Sequence, residues 1–364
     1  MSKQKIIVSV TNDLTTDQRV AKICNTLVEL NLEVILVGRK LANSQLVKRN
    51  YTTKQFNLWF NNGPLFYANY NIRLFFFLLF TKTDYLWSND LDTLLANHIV
   101  SKWKNKKLIF DSHEYFTEVP ELVNRPKVKR FWKRIERKIL PQLKHVLTVS
   151  QSIADLYKKE YGIDVKLLRN VPELQKTEFD VPSLKTEGKN IIIYQGSVNV
   201  NRGIEYMVKS MHYIDNALLY ILGKGDISDK IASLIKSEKL GDKVKMLGEI
   251  PYEKLHCYTK QADLGLSLEE DKGLNYRFAL PNKLFNYINN QVPVLVSDLP
   301  EMKNLVTYYQ VGEVMDNHNP EKIATKIKVM LANHSQLLVY KNNCEKASKD
   351  LNWDKEKQVI STLF

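Results

Sequence analysis

Short apolar runs, separated by polar loops and helical stretches, recur along almost the whole chain. Residues 5–10 form the first run, a polar loop and a helical pattern follow, and residues 33–38 form the second run. Such runs are typical of parallel strands buried on both faces. A strand, a helix and a strand in this order open a doubly wound α/β sheet. The same pattern predicts strands at residues 84–87, 107–110, 145–149, 190–194, 218–222, 243–247, 262–268 and 293–296.

The apolar runs form two groups on either side of a polar segment. Residues 173–190 are polar and contain Pro182 and Gly188, a composition typical of a linker. A chain of 364 residues is long enough for two domains. We therefore predict an N-terminal domain at residues 1–172 and a C-terminal domain at residues 173–349. A last helix within residues 350–364 is expected to pack back on the first domain.

Polar residues follow nearly every predicted strand. Ligands of doubly wound sheets bind beyond the carboxyl ends of the strands, so these residues are candidates for a site. In the first domain they are Asn12, Asp13, Asp17, Asn89, Asp90, His113 and Glu114. In the second domain they are Gly196, Ser197, Gly223 and Glu249.

Residues 280–301 combine a helix start with a lysine. Pro281 suits the first turn of a helix, Lys283 follows it, and a short apolar strand comes after the helix. Free backbone N–H groups and the helix dipole at such a start attract anions. The stretch fits the phosphate end of a nucleotide-sugar site. An ordinary helix–strand unit accounts for it equally well.

The segment 125–143 predicts a helix with an apolar stripe and a basic face. Such a helix can lie on an anionic bilayer. The residues expected to contact the bilayer are Lys129, Arg130, Phe131, Trp132, Lys133 and Arg134. The alternative is a helix that packs its stripe on the sheet and leaves its charges in water. Residues 74–80 are too short to span a bilayer and predict a buried helix or an interfacial segment.

The net charge of +13 is confined to the first half of the chain. Residues 1–172 hold 28 Lys and Arg against 15 Asp and Glu, whereas residues 173–364 hold 25 of each. A one-sided basic field favours an anionic partner, and without a recognition module for nucleic acid we expect a membrane surface. The first residues predict a strand and not a signal peptide. Three scattered cysteines indicate a reducing compartment and no zinc site.

Several of these stretches resemble the retaining glycosyltransferases of family 4, which have the GT-B fold. In the second domain the similar stretches are residues 196–197, 202–203, 222–225, 247–251, 281–287, 293–294 and 297–298. In the first domain residues 17–20, 89–94 and 111–114 are similar to a bacterial subgroup that builds surface polysaccharides. The resemblance covers nearly the whole chain, and the order and spacing of the stretches are more specific than any one of them.

The resemblance implies an α/β protein with two Rossmann-like domains facing a central cleft. It also implies transfer of a sugar from a UDP- or GDP-sugar, with retention at the anomeric carbon and without a metal or other cofactor. Arg202 and Lys283 would bind the diphosphate, which gains charge as it leaves, although Arg202 also fits a surface arginine at a helix start. The implied donor-side residues are Gly196, Ser197, Arg202, Gly223, Glu249, Pro281, Asn282, Lys283, Leu284 and Asn286.

One departure from the family concerns its two glutamates, which are usually eight positions apart. Phe278 and Asn286 stand at those positions here. Asn286 falls where the second glutamate contacts the donor ribose. An asparagine can bond a ribose hydroxyl but carries no charge.

The resemblance also assigns an acceptor side, formed by Asn12, Asp13, Asp17, Asn89 and Asp90. The family often has a histidine near the position of His113 that contacts the transferred sugar. With Glu114 or Asp111 to orient it, His113 could assist proton transfer at an acceptor hydroxyl. A strand-end histidine satisfied by backbone is the alternative. Asp90 and Asp92 resemble a metal-binding pair of another glycosyltransferase fold, but we interpret them as a strand end and a helix cap.

The sequence thus predicts a cytoplasmic glycosyltransferase, peripheral on the inner face of the plasma membrane. Its acceptor would be a lipid-linked saccharide used in cell-surface polysaccharide assembly. Two alternatives stay open, namely a GT-B sugar-nucleotide epimerase and a non-catalytic GT-B subunit that binds a partner enzyme or a glycan. No nucleic acid partner is expected.

Overall fold

Two parallel β-sheets, each in its own part of the chain, form the framework of the computed structural model. The structure describes residues 3–15, 17–42, 44, 48–174, 179–184, 186 and 188–364. Unit 1 comprises Met1–Asn170 and Lys357–Phe364, and unit 2 comprises Val171–Glu356. The fold class predicted from the sequence, two doubly wound α/β sheets, is confirmed.

The sheet of unit 1 is parallel throughout. Within the described residues its strands are β1 (Lys5–Asp13), β2 (Glu33–Lys40), β3 (Thr52–Asn57), β4 (Tyr85–Asn89), β5 (Lys107–Ser112), β6 (His145–Thr148) and β7 (Lys166–Leu167). Their order is β3-β2-β1-β4-β5-β6-β7. β1 lies inside the sheet, where Ile7 is paired with Ile35 on one side and Leu86 on the other. The order reverses at β1 and β4, which is where doubly wound sheets bind ligands.

Helices connect the parallel strands and cover both faces of this sheet. Crossovers are right-handed, so those that run in opposite directions along the sheet place their helices on opposite faces. The first of them, α1, starts where the Asp17 side chain accepts the N–H of Val20 at 3.0 Å. The helices are α1 (Gln18–Glu29), α2 (Gly63–Phe80), α3 (Leu91–Trp103), α4 (Pro120–Val123), α5 (Pro126–Ile139) and α6 (Gln151–Tyr161), with 3-10 turns at Phe116–Glu118 and Leu140–Gln142.

Unit 2 repeats the architecture with a second parallel sheet. In the described chain its strands are β8 (Asn190–Gln195), β9 (Ala217–Leu222), β10 (Val244–Gly248), β11 (Leu264–Ser267), β12 (Val294–Ser297) and β13 (Gly312–Met315). Their order is β10-β9-β8-β11-β12-β13, so the reversal lies between β8 and β11. The carboxyl ends of these two strands are the expected place for a ligand.

The helices of unit 2 pack on both sides of that sheet. They are α7 (Ile204–Ser210), α8 (Ser228–Ser237), α9 (Tyr252–Thr259), α10 (Leu274–Arg277), α11 (Asn282–Asn289), α12 (Pro300–Tyr309), α13 (Pro320–Ala332), α14 (His334–Ser348) and α15 (Trp353–Glu356), with a 3-10 turn at Met211–Tyr213; α16 (Gln358–Ser361) lies in the segment that belongs to unit 1. Pro281 is the N-cap of α11, just before its first helical residue.

The side chain of Tyr287 fixes α11 on the sheet. Its ring lies over Gly265 of β11, where a Cβ atom would come within 2.6 Å of the ring. Its hydroxyl accepts the N–H of Gln195 at 3.0 Å and donates to the Leu266 carbonyl at 3.2 Å. Because these contacts reach two strands, they set the position of the residues at the start of α11.

Two features differ from the sequence predictions. The strands β3, β7 and β13 carry no continuous apolar run and were not predicted. The single C-terminal helix expected in residues 350–364 is replaced by two short helices, α15 and α16. Residues 74–80 belong to α2, which is buried on one face and exposed on the other. None of the helices in the described part of the chain combines the length and apolar character needed to cross a bilayer.

Candidate functional site

The carboxyl ends of β8 and β9 meet through two glycines. Gly196 donates its N–H to the Leu222 carbonyl at 2.9 Å, and Gly223 donates to the Gly248 carbonyl at 2.7 Å. Gly223 has a φ of +143°, and a Cβ atom there would lie 1.9 Å from the Gly196 carbonyl oxygen. Only glycine fits such a position. This edge of the sheet therefore presents backbone that a ligand can approach closely.

Lys283, in the first turn of α11, lies against this backbone. Its Nζ forms an ion pair with Glu269 and lies 4.5 Å from the centroid of the Tyr194 ring. The side chain is 6% exposed. A Cβ atom on Gly196 would lie 3.5 Å from the Lys283 Cε, so the lysine borders the end of β8. The structure thus brings two of the predicted donor-side residues, Gly196 and Lys283, together.

Glu269, two residues after β11, is the counterion of this lysine. Its carboxylate is completely buried, lies 3.5 Å from Nη1 of Arg202, and accepts a hydrogen bond from Ser267 Oγ at 2.7 Å. Burial raises the pKa of Glu269, but Lys283 and Arg202 outweigh this effect and hold its pKa below the ordinary value. One ionised carboxylate therefore holds two cations in one place. Neither the sequence pattern nor the family resemblance assigned it a role.

Arg202 is the more accessible of the two cations. Its side chain is 30% exposed, and its guanidinium carbon lies 5.6 Å from the centroid of the Tyr276 ring. The next residue, Gly203, has a φ of +72°, and a Cβ atom there would lie 1.9 Å from the Leu268 carbonyl oxygen. This close packing holds the start of α7 on the strand end and keeps Arg202 near Glu269.

The other residues predicted around α11 have different environments. Asn282, Ser197 and Glu249 are exposed. Leu284 is fully buried, and its N–H donates to the Pro281 carbonyl at 3.0 Å. The side chain of Leu284 is therefore part of the core, and its N–H is already bonded, so its predicted contact with a ligand stays a prediction without a free group to support it.

Asn286 lies one helical turn after Lys283 and lines a small polar recess. The recess has a volume of about 90 Å³, and its walls include Gln195, His256 and Thr259. Thr259 donates to the Gln195 side chain at 2.5 Å. Asn286 thus faces space that water or a ligand hydroxyl can occupy.

In unit 1 the carboxyl ends of β4 and β5 hold His113 between carboxylates. Its Nδ1 lies 3.2 Å from Asp90 and its Nε2 lies 3.2 Å from Asp111 and 3.1 Å from the Asn89 amide oxygen. The backbone N–H of His113 donates to Asp90 at 2.8 Å. Arg19 donates two hydrogen bonds to Asp111, at 2.7 and 3.2 Å. The side-chain partners of His113 are thus Asp90, Asp111 and Asn89.

These contacts determine the protonation states of His113 and Asp111. Burial lowers the pKa of His113, but the two carboxylates outweigh it and raise the pKa to about 9. Burial raises the pKa of Asp111, but Arg19 and His113 outweigh it and lower the pKa to about 2. At neutral pH His113 is therefore a cation that donates hydrogen bonds. The predicted part of His113 in proton transfer stays a prediction, and its charge favours the role of a proton donor.

Asp90 and Asp92 have separate hydrogen-bond partners. Asp92 accepts a hydrogen bond from Thr11 at 2.6 Å, and burial raises its pKa to about 7. Asp90 has a φ of +56° and precedes α3. Within the described ranges, no group of three or more His, Cys, Asp or Glu side chains is arranged to hold a metal ion.

The loop after β1 is organised mainly by its own side chains. Asn12 donates to Asp17 at 3.1 Å, and Asp17 caps α1. Asp13 accepts hydrogen bonds from the Thr15 backbone at 3.0 Å and from its hydroxyl at 2.9 Å. The structure places these three predicted residues at the carboxyl end of β1 and just after it, and Asp13 also accepts a hydrogen bond from the Ser44 hydroxyl.

The basic helix α5 uses part of its predicted membrane face inside the protein. Trp132 is 4% exposed and its ring packs against Tyr67 of α2, with centroids 5.2 Å apart. Lys129 pairs with Glu118 at 2.6 Å. Lys133 pairs with Glu136 at 2.6 Å and with Glu160 at 2.7 Å. Trp132 is therefore buried, Lys129 and Lys133 are ion-paired within unit 1, and the exposed residues of this set are Arg130, Phe131 and Arg134.

Two family models match consecutive parts of the chain. Residues 17–172 match Glycosyltransferase Family 4, and residues 175–349 match Glycosyl transferases group 1. The chain belongs to the GT-B glycosyltransferases of the GT4 type. The boundary between the two matches falls close to the division between unit 1 and unit 2.

Individual proteins are similar to this GT-B glycosyltransferase along most of its length. The O-antigen chain mannosyltransferase RfbU of Salmonella typhimurium (strain LT2) is 24% identical over 246 residues, which cover 63% of this chain. The match spans 65% of that relative, slightly less than two thirds.

Solved structures share the fold at low sequence identity. Sucrose-phosphate synthase from Thermosynechococcus elongatus has a TM-score of 0.81 at 16% identity, with 99% of this chain and 98% of that chain covered. HepE from Anabaena, in complex with UDP-glucose, has a TM-score of 0.76 at 13% identity, with 98% of both chains covered. These similarities agree with the GT-B fold of this glycosyltransferase.

Proposed function

We propose that this chain transfers a hexose from a nucleotide diphosphate sugar, a UDP- or GDP-sugar, to a lipid-linked saccharide. The observation that carries the proposal is the cation pair of Arg202 and Lys283 at a glycine-rich strand end. The two side chains and the start of α11 would bind the diphosphate. Binding there stabilises the negative charge that grows on the leaving group, which is the main demand of the reaction.

The arrangement of Glu269 supports this reading of the cations. Burial lowers the pKa of Lys283, and the Glu269 carboxylate opposes this shift. The carboxylate therefore favours the charged form of the lysine and fixes both cations before an anion arrives. A diphosphate would then bind to Arg202 and Lys283, which are already in position and need not move. We propose that these cations take the role that a metal plays elsewhere, so that transfer continues in the presence of a chelator.

The relatives support the class of donor and acceptor. HepE was solved with UDP-glucose, and RfbU is named as an O-antigen chain mannosyltransferase. We infer a hexosyl donor and a saccharide acceptor used in surface polysaccharide assembly. Retention at the anomeric carbon is part of the proposal, and the product's anomeric proton coupling measured by NMR tests it.

Unit 1 would receive the acceptor. The charged pair of His113 and Asp90, whose side chains are 17% and 18% exposed, is suited to hydrogen-bond a sugar hydroxyl through the Asp90 carboxylate. The positive charge of unit 1 would face an anionic bilayer, with Arg130, Arg134 and their exposed neighbours on α5 in contact with lipid head groups. We therefore place the protein on the inner face of the plasma membrane.

Nucleotide binding is the decisive experiment. Thermal shifts with UDP, GDP, ADP and CMP should show stabilisation by one uridine or guanosine diphosphate. Lys283→Met should weaken that binding by about 1.5–3 kcal/mol, or roughly 10–100-fold, because a charged hydrogen bond to phosphate is lost. Lys303→Met, at an exposed lysine paired with Asp298, is the matched control and should leave binding unchanged.

A second variant covers the chance that Lys283→Met disturbs the fold by leaving Glu269 unpaired. Arg202→Gln removes a cation that is 30% exposed and should weaken binding in the same direction. Absence of a shift with any nucleotide, in protein that melts cooperatively, would contradict the proposal. That result would favour a non-catalytic subunit. Phe278 and Asn286, which stand at the family's glutamate positions, support this alternative. Turnover of a nucleotide sugar without acceptor would instead indicate the epimerase.

Asn286→Glu tests the departure from the family at the ribose position. If the small recess beside Asn286 receives the ribose, a carboxylate there should bind its hydroxyls more strongly and raise nucleotide affinity several-fold. Asn290→Glu, at another residue lining the recess, is the matched control. Equal affinities for wild type and Asn286→Glu would place the ribose elsewhere.

A further inference from the structure

The helix α2 is apolar on both of its faces. One face packs on unit 1, and its residues Phe66, Tyr70, Leu74 and Leu78 are at most 6% exposed. A surface helix of a globular protein normally turns polar residues to solvent on the other face. In α2 the opposite face is formed by Leu65, Ala68, Ile72, Phe76 and Phe80.

That outer face is exposed in the described structure. Leu65, Ile72 and Phe76 are 52–58% exposed and Phe80 is 80% exposed. Two tryptophans extend it, with Trp59 79% and Trp103 68% exposed. We call these six residues, Trp59, Leu65, Ile72, Phe76, Phe80 and Trp103, the α2 surface. Contiguous apolar surfaces of this kind on soluble proteins mark interaction sites.

Ring contacts hold the α2 surface together. Phe76 and Phe80 stack nearly parallel, with an interplanar angle of 7° and centroids 6.4 Å apart. The Trp103 ring packs against Phe75 at 5.6 Å. The guanidinium of Arg73 lies 5.0 Å from the centroid of Trp59. The aromatic side chains therefore form one ordered patch along the helix, which is roughly 27 Å long.

Cations outnumber acidic residues around the patch along the sequence, and the nearby Asp84 is paired with Lys106 at 3.6 Å. Arg73 is the one charged residue between positions 63 and 80. Lys102 and Lys104 flank Trp103, and Lys82 follows the end of α2. The Lys104 ammonium donates to the carbonyls of Leu78, Leu79 and Thr81, so this lysine lies at the end of α2. The surface thus combines large apolar side chains with a positive rim.

We propose that the α2 surface inserts into the interfacial region of an anionic lipid bilayer, with α2 parallel to the membrane plane. Aromatic and aliphatic side chains suit the boundary between head groups and acyl chains, and a basic rim suits anionic head groups. A second copy of this chain would bring the same positive rim to the contact, whereas anionic lipid complements it.

The basic helix α5 contacts α2. Trp132 of α5 packs on Tyr67 of α2. The solvent-exposed arginines of α5 are therefore carried by a helix directly beside α2. This inference rests on the proposed function, because an enzyme that binds a lipid-linked acceptor would meet that acceptor at the bilayer surface.

Vesicle flotation of the full chain tests the insertion. Phosphatidylcholine vesicles with phosphatidylglycerol should float the protein, and vesicles of phosphatidylcholine alone should float much less. Phe76→Glu with Phe80→Glu should reduce binding to the anionic vesicles by about tenfold or more, because two charges would enter the apolar layer. Val329→Glu with Leu338→Glu is the matched control, since these residues of unit 2 are 62% and 60% exposed, and it should bind like wild type.

Three results would overturn the insertion. They are unchanged flotation of the Phe76→Glu/Phe80→Glu variant, equal flotation by neutral and anionic vesicles, and a wild-type dimer that this variant dissociates without any vesicle binding. Nucleotide thermal shifts on the same proteins separate this inference from the proposed function. Vesicle binding without a nucleotide shift contradicts the donor site alone, and a nucleotide shift without vesicle binding contradicts the α2 surface alone.

Discussion

Single residues determine the charge balance at both strand-end sites. In unit 2 the buried Glu269 neutralises part of the charge on Lys283 and Arg202, and leaves a net positive site. In unit 1 Asp111 is shared by Arg19 and His113. At each site a buried carboxylate is therefore held between two cations, which keeps ionised groups in place near the end of a sheet.

The pKa of His113 makes the stability of unit 1 depend on pH. Because the folded pKa of about 9 is above the ordinary value, the charge of His113 stabilises the folded state fully below about pH 6.5. This stabilisation is lost as pH rises through about 9, and it is at most about 3 kcal/mol. Urea unfolding of wild type and His113→Gln between pH 6 and 9.5 should show a difference that shrinks as pH rises. A difference independent of pH would mean that His113 is neutral.

The close approach of Gly223 to Gly196 predicts a large effect from one added methyl group. Gly223→Ala should cost roughly 1–3 kcal/mol, because alanine is strained at this positive φ and its Cβ meets a carbonyl oxygen. Gly241→Ala is the control, since no atom lies within 4 Å of an added Cβ there. Chemical denaturation measures the stability of both variants. Equal stabilities would contradict the steric clash expected at position 223.

At the scale of elements, α5 shows how a basic amphipathic helix divides its charges. Its stripe packs Trp132 against α2, and Lys133 bridges Glu136 and Glu160. Glu136 is 1% exposed and also accepts a hydrogen bond from Tyr161. Some of the cations therefore hold unit 1 together, and the others remain available to an anionic surface.

Loss of Lys133 should destabilise unit 1 more than loss of an exposed cation on the same helix. Lys133→Met leaves the buried Glu136 carboxylate without its cation and should cost about 3 kcal/mol. Arg134→Met, at the adjacent exposed position, should stay within about 0.5 kcal/mol of wild type. Urea unfolding followed by tryptophan fluorescence reports on unit 1, which holds four of the five tryptophans. Equal losses in the free energy of unfolding would show that the ion pair of Lys133 with Glu136 does not stabilise unit 1.

At the scale of the whole molecule, the chain returns to unit 1 at its end. Ile360 and Leu363 are buried, and the Phe364 ring packs against Tyr85 at 4.9 Å. The Lys166 ammonium donates to the Thr362 hydroxyl at 2.8 Å. The last eight residues are therefore part of the first unit, although the whole of unit 2 precedes them.

Removal of residues 357–364 should destabilise unit 1 selectively. Two buried aliphatic side chains contribute roughly 1.5–3 kcal/mol each, so the total cost is about 3–6 kcal/mol. Hydrogen exchange should accelerate in β1, β4 and β5 and stay unchanged in β8 and β9. Ser361→Ala, an exposed change within the segment, is the control. Faster exchange confined to unit 2 would contradict this assignment.

The pattern of apolar runs was sufficient to locate most interior strands. β1, β4, β5, β8 and β9 are buried on both faces, and each shows a continuous apolar run. The strands that were not predicted, β3, β7 and β13, lie at the edges of their sheets. An edge strand is half covered and tolerates polar residues, so its sequence lacks such a run.

The sequence by itself determined the two parallel sheets and the lysine at the start of α11, because both depend on local spacing. Only the tertiary structure decided the partners of the functional side chains. Glu269 and Lys283 are 14 positions apart and Arg19 and Asp111 are 92 apart, and strand order brings each pair together. It also decided which apolar faces are covered. Trp132 is buried and the outer face of α2 is exposed. The periodicity of a helix does not show this difference, because it does not reveal which neighbouring element covers a face.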